Sequence, residues 1–144
     1  MRKVTVGAVQ MSCLGTVNEN IEQADSLIRS AAKNGGQILL LPELFERPYF
    51  CQERRYSNYE FAKPVLENDA VMHFQKLAKE LSVVLPISFY ERDGYVLYNS
   101  VALIDADGSL LGVYRTHCRC LSRYRSKFSS ATSSSLTKVT FLYS

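Results

Sequence analysis

The 144-residue chain carries 17 basic and 14 acidic side chains, and 47% of its residues are apolar. This length allows one modest domain, and the composition is typical of a globular protein and excludes a disordered or fibrous one. The longest apolar runs, residues 38–42 and 83–87, are far shorter than a membrane span, and the first residues lack a signal-peptide pattern. We therefore expect a cytoplasmic protein without membrane association.

The net charge of +3 is distributed unevenly along the chain. Residues 1–115 hold 12 basic and 14 acidic side chains, whereas residues 116–144 hold 5 basic side chains and no acidic one. In this second segment 12 of 29 residues are Ser or Thr. We predict a folded part over residues 1–115 and a basic, Ser/Thr-rich, disordered tail over residues 116–144. Because basic charge without a recognisable fold does not indicate nucleic-acid binding, we expect no nucleic-acid partner.

The first elements predict a strand–helix–strand unit. Residues 3–11 have the apolar pattern of a strand that is buried on both faces. Thr16 and Glu19 form a capping box, apolar residues recur at helical spacing behind it, and a pair of glycines ends the helix. Residues 37–41 form a short apolar strand, and the two strands of such a unit are expected to be parallel.

The rest of the folded part predicts a loop, one helix and three strands. The loop is polar and rich in aromatic residues, and turns that contain glycine separate the later strands. The predicted ranges are 43–63 for the loop, 68–82 for the helix, and 83–90, 95–105 and 110–114 for the strands. Pro86 has no backbone N–H, which argues against a strand that is hydrogen-bonded fully on both sides.

Glu43 is the clearest candidate for chemistry, because it follows the second predicted strand. In open parallel sheets, ligands bind outside the carboxyl ends of the strands. Apolar neighbours would partly desolvate a carboxylate there, and a carboxylate in such a setting can act as a general base. Most glutamates that follow a strand are solvated loop residues, so the position of Glu43 alone does not decide between these interpretations.

Several motifs in order resemble the carbon–nitrogen hydrolases of the nitrilase superfamily. They are the end of the first strand at residues 8–11, Leu-Leu-Pro-Glu-Leu-Phe at 40–45, residues 97–105, and Gly-Val-Tyr-Arg at 112–115. Residues 46–52 are similar to a loop of plant-type N-carbamoylputrescine amidases. The resemblance covers residues 3–115. It implies an α/β fold, the N-terminal half of the family's α-β-β-α sandwich, which would be incomplete in this chain.

The resemblance also implies a catalytic triad of Glu, Lys and Cys, with Glu43 as the general base. The thiolate attacks a carbamoyl or amide carbon, the Lys stabilises the oxyanion, and water releases the acyl-enzyme. The implied substrate is N-carbamoylputrescine, hydrolysed to putrescine, ammonia and carbon dioxide in polyamine biosynthesis. The family forms homo-oligomers and needs no metal or other cofactor. Tyr49 and Phe50 either line the substrate side of the site or pack the loop.

The chain departs from the family pattern where the Lys is expected. The family has this Lys directly after Tyr-Arg, whereas Arg115 is followed here by Thr116, and the segment that bears the Cys is missing as well. Cys118, Cys120 and Lys127 lack the strand setting that would let them substitute for the missing residues. We therefore expect an inactive chain that keeps only Glu43 of the triad.

Three hypotheses follow from these observations. The chain is an incomplete amidase, another superfamily member of the ω-amidase or ureidopropionase type, or a non-catalytic, truncated subunit that acts on full-length partners. The loop at residues 47–52 argues against the second hypothesis. Truncation predicts that core residues such as Val101, Leu103 and Leu111 are exposed. We interpret Asn99 and Ser100 as structural residues whose side chains bond to backbone.

Overall fold

The computed structural model describes residues 2–53, 55–117 and 135–143 of the chain. The helices and strands are β1 (Arg2–Gln10), α1 (Val17–Lys33), β2 (Ile38–Leu40), α2 (Asp69–Leu81), β3 (Leu85–Asp93), β4 (Val96–Ile104), β5 (Leu110–His117) and β6 (Ser135–Tyr143). Short 3-10 turns at Phe50–Gln52, Tyr56–Phe61 and Val65–Glu67 lie between β2 and α2. In this described part no helix is both long and apolar enough to cross a membrane.

The unit β1–α1–β2 forms as its sequence predicts. The Thr16 hydroxyl accepts a hydrogen bond from the Glu19 amide at 3.3 Å, and the Glu19 carboxylate accepts one from the Thr16 amide at 2.7 Å. This capping box satisfies two of the amides that a helix leaves unpaired at its start. Strands β1 and β2 are parallel, which confirms the predicted pairing.

The strands form two three-stranded sheets, in the orders β2-β1-β6 and β3-β4-β5. A parallel bridge joins the sheets, with the Leu39 amide donating to the Val84 carbonyl at 3.0 Å and the Val84 amide donating to the Gln37 carbonyl at 2.8 Å. The next bond of this ladder would need an N–H at Pro86, which has none. The pairing between β2 and β3 therefore stops there, while β3 continues to pair with β4.

Helices α1 and α2 cover one face of the sheets and form the main core with it. The buried residues include Ile28 of α1, Phe74 of α2 and Ile87 of β3. The opposite face is covered only in part by the described residues: the loop with Leu44 and Ala62 packs over Tyr90 of β3, whereas Leu103 of β4 is 39% exposed. The predicted exposure is confirmed for Leu103 and for Leu111, whereas Val101 is half-buried.

The prediction that the first strand is buried on both faces is wrong. Val9 is buried against the helices, but its neighbour Ala8 is exposed on the other side. The apolar alternation of β1 identifies a strand correctly, yet it cannot tell whether a second layer covers the strand. In the described part, no element packs over the face that carries Ala8.

The expected disordered tail is corrected at two places. Strand β5 continues to His117, and residues 135–143 form β6, which pairs antiparallel with β1 over its whole length. Residues 136–143 are rich in Thr, Val, Phe, Leu and Tyr, which favour strands, although the neighbouring serines hide this pattern in the overall composition. Residues 118–134 lie outside the described residues, and the domain boundary at residue 115 stays a prediction.

Candidate active site

Glu43 lies on a tight turn just after β2, and the backbone of this turn is anchored on both sides. The following residue, Leu44, has a φ of 50°, in the left-handed region that side-chain-bearing residues rarely adopt. Its amide donates a hydrogen bond to the Ser88 hydroxyl of β3 at 3.1 Å, and its side chain is buried. Strained backbone of this kind is often found at functional sites.

The Glu43 carboxylate has a hydrogen-bond donor at each of its oxygens. The side-chain amide of Asn99, on β4, donates to Oε1, and the Tyr49 hydroxyl lies 3.5 Å from Oε2. The second contact is at the limit of hydrogen-bond geometry and is therefore weak. The structure thus brings together residues from two segments that are distant in the sequence, the loop after β2 and strand β4.

Two expectations about these residues are wrong. Glu43 is exposed and not partly desolvated. Asn99 and Ser100 bond to carboxylates and not to backbone: Asn99 bonds to Glu43, and the Ser100 hydroxyl donates to Glu91 at 2.6 Å. Successive strand residues point to opposite faces, so these two neighbours serve different sides of the sheet.

Tyr49 and Phe50 have different surroundings although they are adjacent. Tyr49 is 47% exposed and borders the Glu43 carboxylate. Phe50 packs inside the loop, with its ring centroid 5.4 Å from that of Phe61 and 5.1 Å from that of Tyr90. The geometry places Tyr49 on the open side of the site and Phe50 in a small apolar cluster beneath it.

Residue 116, where the family pattern has its Lys, lies next to Asn99. Strands β4 and β5 are antiparallel, and their register pairs Asn99 with Thr116. Directly paired residues project to the same face with their Cβ atoms about 5 Å apart. A side chain at position 116 is therefore a neighbour of the Asn99 amide that contacts Glu43. In this chain that side chain is the uncharged, exposed threonine.

Arg115, the residue before Thr116, forms an ion pair on the face of the sheet that the helices cover. Arg115 donates two hydrogen bonds to the carboxylate of the buried residue Glu91, at 2.8 and 2.7 Å. Burial raises the pKa of Glu91, but the hydrogen bonds from Arg115 and Ser100 outweigh it, and the pKa lies below its usual value. This ion pair fixes the end of β5 that carries residue 116.

Glu46 is a half-buried carboxylate that the sequence analysis did not single out. Its backbone carbonyl accepts a hydrogen bond from the Asn20 side chain at 3.1 Å, and its carboxylate accepts one from Asn68, the N-cap of α2, at 3.2 Å. Burial raises the pKa of Glu46, and the bonds from Asn68 and the Ala70 amide oppose this only in part. Glu46 thus connects the turn that carries Glu43 to both helices.

The described residues offer little for other chemistry. Within residues 2–53, 55–117 and 135–143, no cluster of three His, Cys, Asp or Glu side chains is placed to hold a metal ion. Burial raises the pKa of the half-buried Cys13 thiol, which disfavours a reactive thiolate. Cys118, Cys120 and Lys127 lie outside the described residues. The expectation that no metal or cofactor is needed stays an expectation.

Comparison with known proteins identifies the family of the chain. The model of the carbon-nitrogen hydrolase family matches residues 5–132. An N-carbamoylputrescine amidase of Oryza sativa subsp. japonica is 50% identical over 127 residues, which cover 88% of this chain and 42% of the rice protein. A citrullinase of Francisella tularensis is 44% identical over 115 residues, covering 80% of this chain and 40% of its own. A carbon-nitrogen hydrolase structure from Helicobacter pylori G27 has a TM-score of 0.71 and 28% identity, over 78% of this chain and 39% of that chain.

The mixed α/β fold is thus shared with known hydrolases of carbon–nitrogen bonds. The chain belongs to the carbon–nitrogen hydrolase family. It spans about two-fifths of the length of the curated relatives that it matches. The predicted superfamily and fold class are confirmed, and the family match continues past the predicted boundary at residue 115.

Proposed function

We propose that Glu43 is the general base of an amidase site for N-carbamoylputrescine. The observation that carries the proposal is the position of Glu43 at the end of β2, exposed on the open face and held by Asn99. The substrate assignment is supported by the 50% identity to the rice N-carbamoylputrescine amidase. Under this proposal the reaction is a cytoplasmic step of polyamine biosynthesis, and the site needs no metal or organic cofactor.

The proposed chemistry needs a thiol and a cation besides the carboxylate. Glu43 removes the thiol proton, the thiolate attacks the carbamoyl carbon, and a cation stabilises the oxyanion that forms. Glu43 returns its proton to the leaving nitrogen, and ammonia departs from the carbamoyl carbon. Glu43 then activates the water that breaks the bond between sulfur and carbon, which releases the N-carboxylated amine and restores the thiol. This carbamic acid loses carbon dioxide and becomes putrescine. The products are putrescine, ammonia and carbon dioxide. An enclosed site would also strengthen each electrostatic contact, whereas Glu43 is exposed here.

We further propose that residues 1–144 alone do not turn this substrate over. Thr116, paired with Asn99, stands where the family pattern has the Lys. The oxyanion would therefore lack its cation at that position. The sequence also lacks the family segment that would bring a Cys to the carboxylate. The polypeptide would therefore supply the base and part of the substrate surface.

The exposed apolar residues favour a second candidate function, a non-catalytic subunit. Leu103 and Leu111 are 39% and 59% exposed on strands that carry or adjoin the site. Such residues are more often covered by another layer or by a partner. In this alternative the chain associates with full-length members of the family and alters their assembly. Mixing the chain with a full-length homologue and measuring the mass of the complex distinguishes this alternative, because it predicts a mixed assembly.

Two measurements test the proposed function. In the first, the purified chain is incubated with N-carbamoylputrescine, and we expect no ammonia above the blank. Turnover that survives Glu43→Ala would show that the base is assigned wrongly. Turnover that this substitution abolishes would show that residues 1–144 are sufficient for catalysis.

The second measurement is binding of N-carbamoylputrescine, followed by NMR. We expect Glu43→Ala to weaken binding by about tenfold or more, the effect of losing one charge-assisted hydrogen bond. Glu22→Ala is the matched control, because Glu22 is an exposed glutamate on α1. Equal affinity of the chain and both variants would contradict a substrate site at Glu43.

A further inference from the structure

The geometry points to Asn99 as the positioning residue of Glu43, one that fixes which carboxylate oxygen accepts the proton. The amide of Asn99 donates to Oε1 and links β4 to the turn after β2 across 56 residues of sequence. Within the described part of the chain, Oε2 has the long 3.5 Å contact with the Tyr49 hydroxyl. Oε1 is thereby held, and Oε2 is left to accept a proton. This inference rests on the proposed role of Glu43 as the base.

The chemistry of the amide suits this role. A carboxylate only accepts hydrogen bonds, so the amide of Asn99 must turn its nitrogen towards Glu43. The amide is uncharged and does not titrate, so it orients the carboxylate without competing for the proton. In the proposed reaction the S–H bond of the attacking thiol breaks and an O–H bond forms at Oε2. The resulting thiolate keeps the electron pair with which it attacks carbon.

The backbone of Asn99 is held on both sides, which makes it a rigid support. Asn99 lies in the middle strand of the sheet β3-β4-β5, paired with Tyr90 on one side and Thr116 on the other. The next residue, Ser100, is fully buried and bonds to Glu91 on the opposite face. The strand therefore cannot rotate to carry the Asn99 side chain away from Glu43.

The same hairpin also holds the backbone next to Glu43. Ser88, which accepts the hydrogen bond of the Leu44 amide, is paired with Val101, and Tyr90 is paired with Asn99. Residues two apart on a strand share a face, so Ser88 lies on the same face as Tyr90 and therefore as its partner Asn99. Ser88 and Asn99 thus hold the turn from the same face of one β-hairpin. Ser88 fixes the backbone and Asn99 fixes the carboxylate. A site built on paired strands is held more precisely than one on a free loop.

The test is the side-chain conformation of Glu43, measured by NMR couplings in the isotopically labelled full chain. We expect one dominant χ1 rotamer in the unmodified chain and averaging over the staggered rotamers in Asn99→Leu, which keeps the volume and removes the donor. Tyr49→Phe should change the Glu43 rotamer less than Asn99→Leu does, because the Tyr49 hydroxyl lies at the long distance of 3.5 Å from the carboxylate. Asn18→Leu, at an exposed position of α1, is the control for the substitution itself.

Each outcome decides between the possibilities. The inference is overturned if the χ1 angle of Glu43 already averages over several rotamers in the unmodified chain. It is also overturned if one χ1 rotamer stays dominant in Asn99→Leu. If Asn99→Leu does not fold, the side-chain amide protons of Asn99 in the unmodified chain decide: slow exchange with water supports the contact, and fast exchange overturns it. The measurement needs no substrate, so it can succeed even if the ammonia and binding assays overturn the proposed function.

Discussion

The backbone amide of Leu44 donates a hydrogen bond to the hydroxyl of Ser88, 3.1 Å away on β3. Leu44 has a left-handed backbone, and Ser88 is only 8% exposed. The bond therefore satisfies a buried amide at the point where the chain turns sharply after Glu43. Two stability predictions follow from this contact and from the strain beside it.

Ser88→Ala should lower the free energy of unfolding by roughly 1–3 kcal/mol, the cost of leaving a buried amide without an acceptor. Urea denaturation followed by circular dichroism measures this change. Ser88→Thr is the matched control, since threonine keeps the hydroxyl and is well tolerated in strands. Equal loss of stability in the two variants would show that the hydroxyl does not stabilise the turn.

Leu44→Gly should be more stable than Leu44→Ala by roughly 1 kcal/mol, because glycine adopts a positive φ without strain and alanine does not. Both substitutions remove the same buried side chain, so the difference between their free energies of unfolding reports the backbone strain alone. The control pair is Leu41→Gly and Leu41→Ala, since the backbone at Leu41 is not left-handed. There alanine should be the more stable variant. The same order at both positions would contradict a strained Leu44.

Glu91→Gln should cost roughly 2 kcal/mol of stability at pH 7, because it breaks a charged hydrogen-bond pair in which Arg115 remains partly exposed to solvent. The pKa of Glu91 is lowered on folding, so the ion pair stabilises fully above the unfolded pKa of about 4.3 and is lost as the pH falls through the folded pKa. The difference in free energy of unfolding between the unmodified chain and Glu91→Gln should therefore become smaller as the pH is lowered. Unfolding curves from pH 7 downwards measure it.

If the difference in free energy of unfolding between the unmodified chain and Glu91→Gln stays constant from neutral to acidic pH, the pKa of Glu91 is not lowered. Glu22→Gln provides the control, because Glu22 is exposed and its substitution changes the formal charge equally. This control separates the ion pair from the general effect of removing one negative charge from the chain.

Thr116→Lys should place an ammonium group near the Glu43 carboxylate, because residue 116 is paired with Asn99. A double-mutant cycle with Glu43→Gln should give a coupling of about 0.5 kcal/mol, typical of an exposed ion pair, and the coupling should decrease with added salt. Ser109→Lys, in the turn before β5, should show no coupling. Absence of coupling in Thr116→Lys would show that position 116 does not face the site. Since the proposed reaction also needs a thiol beside Glu43, we expect no ammonia release from this variant of residues 1–144.

Local signals predicted the parts of the fold that depend on neighbouring residues. The capping box of Thr16 and Glu19, the β1–β2 pairing and the position of Glu43 after β2 could all be inferred from short motifs. Pro86 was read correctly as an obstacle to pairing on both sides. What the sequence could not show was that this proline ends the contact between β2 and β3.

The parts that the sequence analysis missed depend on contacts between distant residues. Asn side chains usually bond to nearby backbone, so the bond of Asn99 to Glu43, 56 residues away, had no local signal. The exposure of Ala8 and of Glu43 depends on whether a second layer is present, which an apolar pattern cannot reveal. No local pattern indicated that Glu46 would bond to Asn20 and Asn68, at the starts of two helices.

The pairing of β1 with β6 has a consequence for the order in which the protein folds. Strands β3, β4 and β5 are joined by short turns and can pair as soon as they are made, whereas β6 must return to β1 from the other end of the chain, with Tyr143 opposite Arg2. Closing so long a loop is entropically costly and slow. We expect the three-stranded meander to form early and the first strand to gain its second neighbour later, only after residues 135–143 have been synthesised.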